Sequence, residues 1–132
     1  MIIDSSALLA IILLEPEEAD FATRILLARQ PQMSVASYIE VALRLDGALP
    51  SGSDRRLDDA LETLGVELAP VSIEQAKLAR RAFGMFGKGR HPAALNYGDC
   101  MTYALAKSTG QPLLFKGNDF IKTDLTVVTA NF

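Results

Sequence analysis

Four acids spread along the chain, Asp4, Glu40, Asp99 and Asp119, have the type and setting to do chemistry. Each stands beside an apolar run, and a carboxylate next to buried surface is costly unless it is paired or bound to a cation. Several carboxylates brought together repel one another, which raises their pKa values until a metal neutralises them. The hard cations for an all-oxygen donor set are Mg²⁺ and Mn²⁺. Such a centre suits phosphodiester hydrolysis, in which the metal positions the phosphate, activates a water and stabilises charge on the leaving oxygen. That chemistry requires no His or Ser nucleophile.

The elements that must position these acids alternate in type. Met1 to Asp4 reads as a short buried strand, with Ser5-Ser6 offering a hydroxyl cap to an apolar helix over Ala7 to Leu14. Glu15-Pro16-Glu17-Glu18 opens a second helix, which Pro31 stops. Met33 to Ala36 is a second strand, and Ser37 caps a helix from Tyr38 to about Asp46 with Glu40 in its first turn. After a Gly, Pro and Ser loop over 47–53 comes a helix from Asp54 to Leu64, then a third strand from Val66 to Val71. Ser72 opens a helix with an apolar stripe through Ala79 and Phe83 and a basic side of Lys77, Arg80 and Arg81. Gly87 to Pro92 reads as a mobile stretch, before a helix from Tyr97 to Ser108. Pro112 to Lys116 is a fourth strand, Gly117 to Phe120 a turn, and Leu125 to Thr129 a last strand.

Alternating strands and helices imply right-handed crossovers and a three-layer α/β/α domain over 1–132, with a mainly parallel central sheet of four to five strands. In such sheets the ligand crevice lies beyond the carboxyl ends of the strands. That rule places all four acids on one rim. Taken singly, each also has a structural explanation: Asp4 as a helix cap, Glu40 as a partner of Arg44 four residues on, Asp99 as a first-turn acid, Asp119 as a turn residue.

At 132 residues, with 49% hydrophobic and 22% charged side chains, the chain is long enough for one core without staples. Its single cysteine, Cys100, has no partner for a disulfide, so a reducing compartment, the cytoplasm, is the expectation. The apolar run near the amino terminus is eight residues, far short of the roughly 20 a membrane helix needs. The net charge of −3 conceals an asymmetry: residues 1–75 hold thirteen acids and five bases, whereas 76–122 hold eight bases and only Asp99 and Asp119. A basic segment around a small acidic centre suits a polyanionic substrate.

Order and placement together are more specific. Met1-Ile2-Ile3-Asp4-Ser5-Ser6-Ala7-Leu8, Ser34 through Glu40, Gly87 through Cys100 with Asn96-Tyr97-Gly98-Asp99-Cys100, Tyr103-Ala104 and Lys116-Gly117-Asn118-Asp119-Phe120 resemble the PIN-domain ribonucleases, specifically the VapC-type toxins of toxin–antitoxin systems. The resemblance covers nearly the whole chain. It implies a Mg²⁺-dependent endoribonuclease, with Mn²⁺ a substitute, whose four catalytic acids correspond to Asp4, Glu40, Asp99 and Asp119. Asp4, Asp99 and Asp119 would hold metal, Asp119 directly or through water, and Glu40 would bind a second metal or orient the attacking water. Ser6, Asn118 and Asp124 would be supporting residues. The resemblance also implies RNA as substrate, a homodimer, and silencing in a hetero-oligomer with a cognate VapB-like antitoxin. Arg90 and Lys116 are the phosphate contacts the sequence suggests.

Other readings are weaker. A phosphoacceptor receiver-like signalling domain needs paired acids near the first strand and an Asp ending the third, but Asp4 stands alone and the third strand ends in Pro70-Val71. A haloacid-dehalogenase phosphatase wants an acid where Ser6 stands. A PIN fold kept only as a catalytically silent binding module would have lost acids, and none is missing. His91 reads as a solvated loop residue and Cys100 as a core thiol. Phe83, Met85 and Phe86 serve the core or an interaction groove, between which the sequence does not choose.

Overall fold

The computed structural model describes residues 1–49 and 53–128, with the side chains of Ser53 and Asp54 left aside. Thr129, and Pro50 to Gly52 of the loop read from the sequence, lie outside the described residues. Five strands form one parallel sheet: β1 (Ile2–Ile3), β2 (Gln32–Ser34), β3 (Glu67–Ala69), β4 (Leu113–Leu114) and β5 (Val127–Val128), in the order β3-β2-β1-β4-β5. The order reverses at β1, so the first strand lies in the centre and its carboxyl end faces the switch point. Ile2 aligns with Gln32 on one side and Leu113 on the other, and Ile3 aligns with Leu114.

Among the described residues six α-helices cover the sheet: α1 (Ser5–Ile12), α2 (Glu18–Leu27), α3 (Val35–Ala48), α4 (Ser53–Leu64), α5 (Ile73–Phe86) and α6 (Tyr97–Thr109). Successive strand side chains point to opposite faces, and β1 uses both. Ile3 belongs to a cluster with Leu8, Phe21, Ile25, Met33, Val41 and Leu61, beneath α1 to α4. Ile2 belongs to a second cluster with Ala82, Leu95, Tyr103, Leu105 and Phe115, beneath α5 and α6. These two buried layers make the three-layer α/β/α arrangement. No described helix is long and apolar enough to cross a membrane.

Several boundaries differ from the sequence reading. α1 begins at Ser5 with Asp4 itself as its cap, and α3 begins at Val35 with Ser34 as its cap, each side chain accepting from the backbone N–H two residues on. Glu40 therefore lies in the second turn of α3. The glycine stretch after α5 is pinned rather than loose. Lys88 N–H donates to the Leu95 carbonyl at 2.9 Å, Leu95 N–H to Phe86 at 2.9 Å, and Arg90 and His91 both donate to Gly87. His91 Nδ1 accepts from Ala93 N–H at 3.0 Å and its ring meets Phe86 edge-on, so it is a loop brace and not a solvated side chain.

Because Ile2 and Ile3 serve separate layers, the losses on trimming them are expected to add. Ile2→Val and Ile3→Val should each cost about 0.5–1.5 kcal/mol, and the double variant close to their sum. Denaturant unfolding at an unchanged m-value checks this, and strong non-additivity would mean that the layers are coupled through β1.

Candidate active site

The carboxyl ends of β1, β2 and β4 and the first turn of α6 enclose a pocket of about 170 Å³ whose lining includes Asp4, Glu40, Asp99 and Asp119. All four sequence-selected acids thus meet at one place. Ser6, Arg44, Asn96 and Lys116 also line it.

Asp4 is the buried member, only 4% exposed. Its N–H donates to the Leu114 carbonyl at 3.0 Å, which anchors it to β4. One carboxylate oxygen, Oδ2, accepts from Ser6 N–H at 3.1 Å and from Ser6 Oγ at 2.6 Å. The other, Oδ1, accepts from Thr102 Oγ1 at 2.7 Å. Since the single Thr102 hydroxyl proton is used there, Ser37 Oγ, 3.0 Å from Thr102 Oγ1, must donate to it. Ser6 Oγ in turn accepts from Lys116 N–H at 2.9 Å. The five buried polar residues among those described are Asp4, Ser5, Ser34, Ser37 and Thr102; Ser5 serves Glu40, Thr102 serves Asp4, and Ser37 backs Thr102.

Glu40 accepts from Ser5 Oγ at 2.7 Å through Oε1. No Glu40–Arg44 ion pair forms among the described residues, so the simple i,i+4 explanation of Glu40 does not hold. Its other oxygen lies against Gly98, where an added Cβ would overlap the carboxylate. A glycine in the first turn of α6 is what lets Glu40 approach. Asp99 and Asn96 form a reciprocal cap: Asp99 N–H donates to Asn96 Oδ1 at 2.8 Å, and Asn96 N–H to Asp99 Oδ2 at 3.0 Å. Asp119 is delivered to the rim by the turn at Gly117, whose φ of 116° suits only glycine.

Desolvation pushes the Asp99 carboxyl up to about 6; the Asn96 hydrogen bond opposes this, and the charges of Asp4, Asp119 and Glu40 add to it. Asp4 is also raised, by burial first, against its bonds to Ser6 and Thr102 and with Glu40 adding. Converging acids with raised proton affinity have the chemistry of a hard-cation site. Among the described residues, however, no three His, Cys, Asp or Glu side chains form a ready-made metal cage.

Three sequence-selected residues are placed differently from the expectation. Lys116 Nζ does not stand free for a phosphate: it is held between Glu15 and Glu17, which raise its pKa. Asp124 lies away from the acidic pocket. Tyr103 Oη and Lys107 Nζ reach it at 2.8 and 2.9 Å, and against desolvation they hold its carboxyl low, fastening α6 to the carboxyl-terminal segment. Asn118 is exposed beside Asp119 but does not line the pocket. Conversely, sequence reasoning missed Ser5, Thr102 and Ser37 as props, because a hydroxyl's burial beside a distant acid leaves no local signal.

The PIN domain model matches residues 1–125. The chain belongs to the PIN-domain family. Among its relatives, Ribonuclease VapC30 of Mycobacterium tuberculosis is 46% identical over 128 residues, covering 97% of this chain and 98% of the relative. Ribonuclease VapC of Mycolicibacterium smegmatis is 45% identical, covering 97% and 99%. Among solved structures, a toxin–antitoxin complex from Klebsiella pneumoniae superposes with a TM-score of 0.75 at 18% identity, covering 97% of this PIN domain and 95% of that chain.

For the metal-free PIN domain, Asp99 makes the pH dependence explicit. Its folded pKa of about 6 lies above the 3.8 of a free aspartate, so between those values the folded chain keeps a proton that the unfolded chain releases. This group's contribution to stability is therefore greatest at low pH and falls as pH rises to about 6. Asp99→Asn, which keeps an acceptor for Asn96 N–H, should melt higher than the parent in EDTA at neutral pH, with the gap closing towards about pH 4. Added Mg²⁺ should stabilise the parent more than the variant. Thermal melts across this range check both, and a variant less stable than the parent at neutral pH contradicts the repulsion argument.

Proposed function

We propose that this chain is a divalent-metal-dependent endoribonuclease toxin of the VapC type, acting in a toxin–antitoxin system. The observation that carries the reading is the meeting of Asp4, Glu40, Asp99 and Asp119 at one pocket on the carboxyl rim, with the proton affinity of Asp99 raised by burial and by its acidic neighbours. The nearly full-length identity to VapC ribonucleases supports the activity and RNA as substrate. Asp4 and Asp99 would hold the metal, with Asp119 completing the ligand set directly or through water. Mg²⁺, or Mn²⁺ in its place, would polarise the phosphate and lower the pKa of a bound water.

The chain's own residues supply orientation. Three hydrogen bonds fix both oxygens of Asp4, leaving little freedom in how it presents its remaining lone pairs. Glu40, held by Ser5 and set against Gly98, would orient the attacking water and accept its proton. Arg44, at the pocket edge and in no ion pair among the described residues, supplies positive charge for the scissile phosphate where Lys116 is already engaged. The partner we assign is a cognate VapB-like antitoxin; the solved Klebsiella pneumoniae neighbour is itself a toxin–antitoxin complex. Self-association as a homodimer completes the assignment.

Incubation of the purified chain with total cellular RNA tests this. Discrete fragments should form with Mg²⁺ or Mn²⁺, vanish with EDTA, and fall roughly a hundredfold or more in Asp99→Asn. Gly98→Ala, which displaces Glu40 and does not touch the assigned metal holders Asp4, Asp99 and Asp119, should lower the rate without lowering metal affinity. Metal-independent fragments, or full activity in Asp99→Asn, overturn the assignment.

A further inference from the structure

The first turn of α6 is a wall between two pockets. Asn96 and Asp99 face the acidic one, while Tyr97, Cys100 and Met101 face a larger, open, apolar one of about 530 Å³ between α5 and α6. The other walls are Val71, at the carboxyl end of β3, and Ala79 and Phe83 of α5, with Arg80 contributing a charged side chain and no acid contributing any. The volume lies in the range of ligand-binding clefts.

Two features mark what the pocket is built to take. Tyr97 is 79% exposed, a large aromatic displayed at its edge with nothing packed over it, and Phe83 is 40% exposed. Arg90, carried on the pinned glycine loop, lies with its guanidinium 5.3 Å from the centre of the Phe83 ring. Aromatic faces flanked by arginines take unstacked nucleobases, since every base has a π-face and arginine pairs with the adjoining phosphates. Charge complementarity favours the same occupant, because Arg80 lines the pocket, Arg90 stands against its Phe83 wall and no acid is part of the lining.

We infer that the α5–α6 pocket receives a nucleobase of the RNA strand whose phosphodiester lies at the acidic pocket, stacked on Tyr97 and Phe83. The inference rests on the ribonuclease reading for the position of the scissile phosphate. One helix width, on the order of 10 Å, separates the two pockets, so a strand crossing the start of α6 places phosphate on one side and base on the other. Tyr97 and Phe83 are then specificity-determining residues that act apart from the metal-holding acids.

The experiment measures binding apart from cleavage, using fluorescence anisotropy of labelled twelve-nucleotide RNAs in EDTA, where no cleavage is expected. Tyr97→Ala should weaken binding roughly 5- to 150-fold, the range of one base–aromatic stack, and Tyr97→Phe should bind like the parent. Moving a single abasic site along the RNA should reveal one position at which the parent loses a similar factor and Tyr97→Ala loses nothing further. Equal losses in parent and variant at every position, or unchanged binding in Tyr97→Ala, overturn the pocket assignment. So does a Tyr97→Ala variant that alters the sedimentation mass but not RNA affinity, because the pocket is then covered by a second copy. Absence of metal-dependent cleavage by the parent, with base-dependent binding intact, would instead count against the nuclease reading alone.

Discussion

A carboxylate buried at the carboxyl end of the central strand is the constraint on which the rest of the structure turns. Asp4 sits where water is nearly absent, so its charge must be answered by hydrogen bonds, and those bonds come from different parts of the chain. Ser6 N–H makes the residue the cap of α1, Thr102 ties it to α6, and Ser6 Oγ links it to the backbone just past β4. The same bonds that make the acid tolerable therefore lock together the elements that carry Glu40, Asp99 and Asp119. Burial also sets the electrostatics: Asp4 cannot move away from its neighbours, and Asp99 feels its charge along with that of Asp119 and Glu40. A site strained in this way gains from a cation that answers several acids at once.

How much of this was legible in the sequence depended on whether the relevant force is local or tertiary. The topological rule for parallel sheets placed Asp4, Glu40, Asp99 and Asp119 on one rim from strand–helix order alone, because β1 is the strand at which the order reverses. At α1 the cap is Asp4, the alternative the sequence offered beside Ser5-Ser6, and at α3 it is Ser34 in place of Ser37. Ser5-Ser6 and Ser37 are good caps by type, but Ser5 and Ser37 are drawn away to serve Glu40 and Thr102, which leaves Asp4 and Ser34 to cap. The i,i+4 rule likewise gave Glu40 to Arg44, whereas Ser5, thirty-five residues distant in sequence, takes the carboxylate. A surface pair of that kind is worth a few tenths of a kcal/mol, less than a hydrogen bond to a charged group in a part-buried site.

Charge counting along the chain was informative about the segment and uninformative about the residue. The 76–122 stretch is basic, yet Lys116 answers Glu15 and Glu17 from the acidic half and Lys107 answers Asp124. The Lys116 pairs tie the carboxyl-terminal third to the amino-terminal helices, and the Lys107 pair fastens α6 to the segment before β5. The cations left beside the pockets are of another kind: Arg44 on α3, Arg80 on α5 and Arg90 on its pinned loop. All three are arginines, whose planar, always-charged group stacks on rings and forks onto phosphate.

Helix geometry gives the last step. In α6, residues three apart share a face, so Asn96 and Asp99 point to the acids while Tyr97, Cys100 and Met101 point the other way. The reciprocal Asn96–Asp99 cap fixes the rotation of that first turn, and Gly98 leaves the gap Glu40 enters. Any rotation that relieved Asp99 of its acidic neighbours would break the cap. The polar and apolar sides of the rim are therefore set by one helical turn, and the repulsion stored among the acids is held by the same bonds that display the aromatic edge.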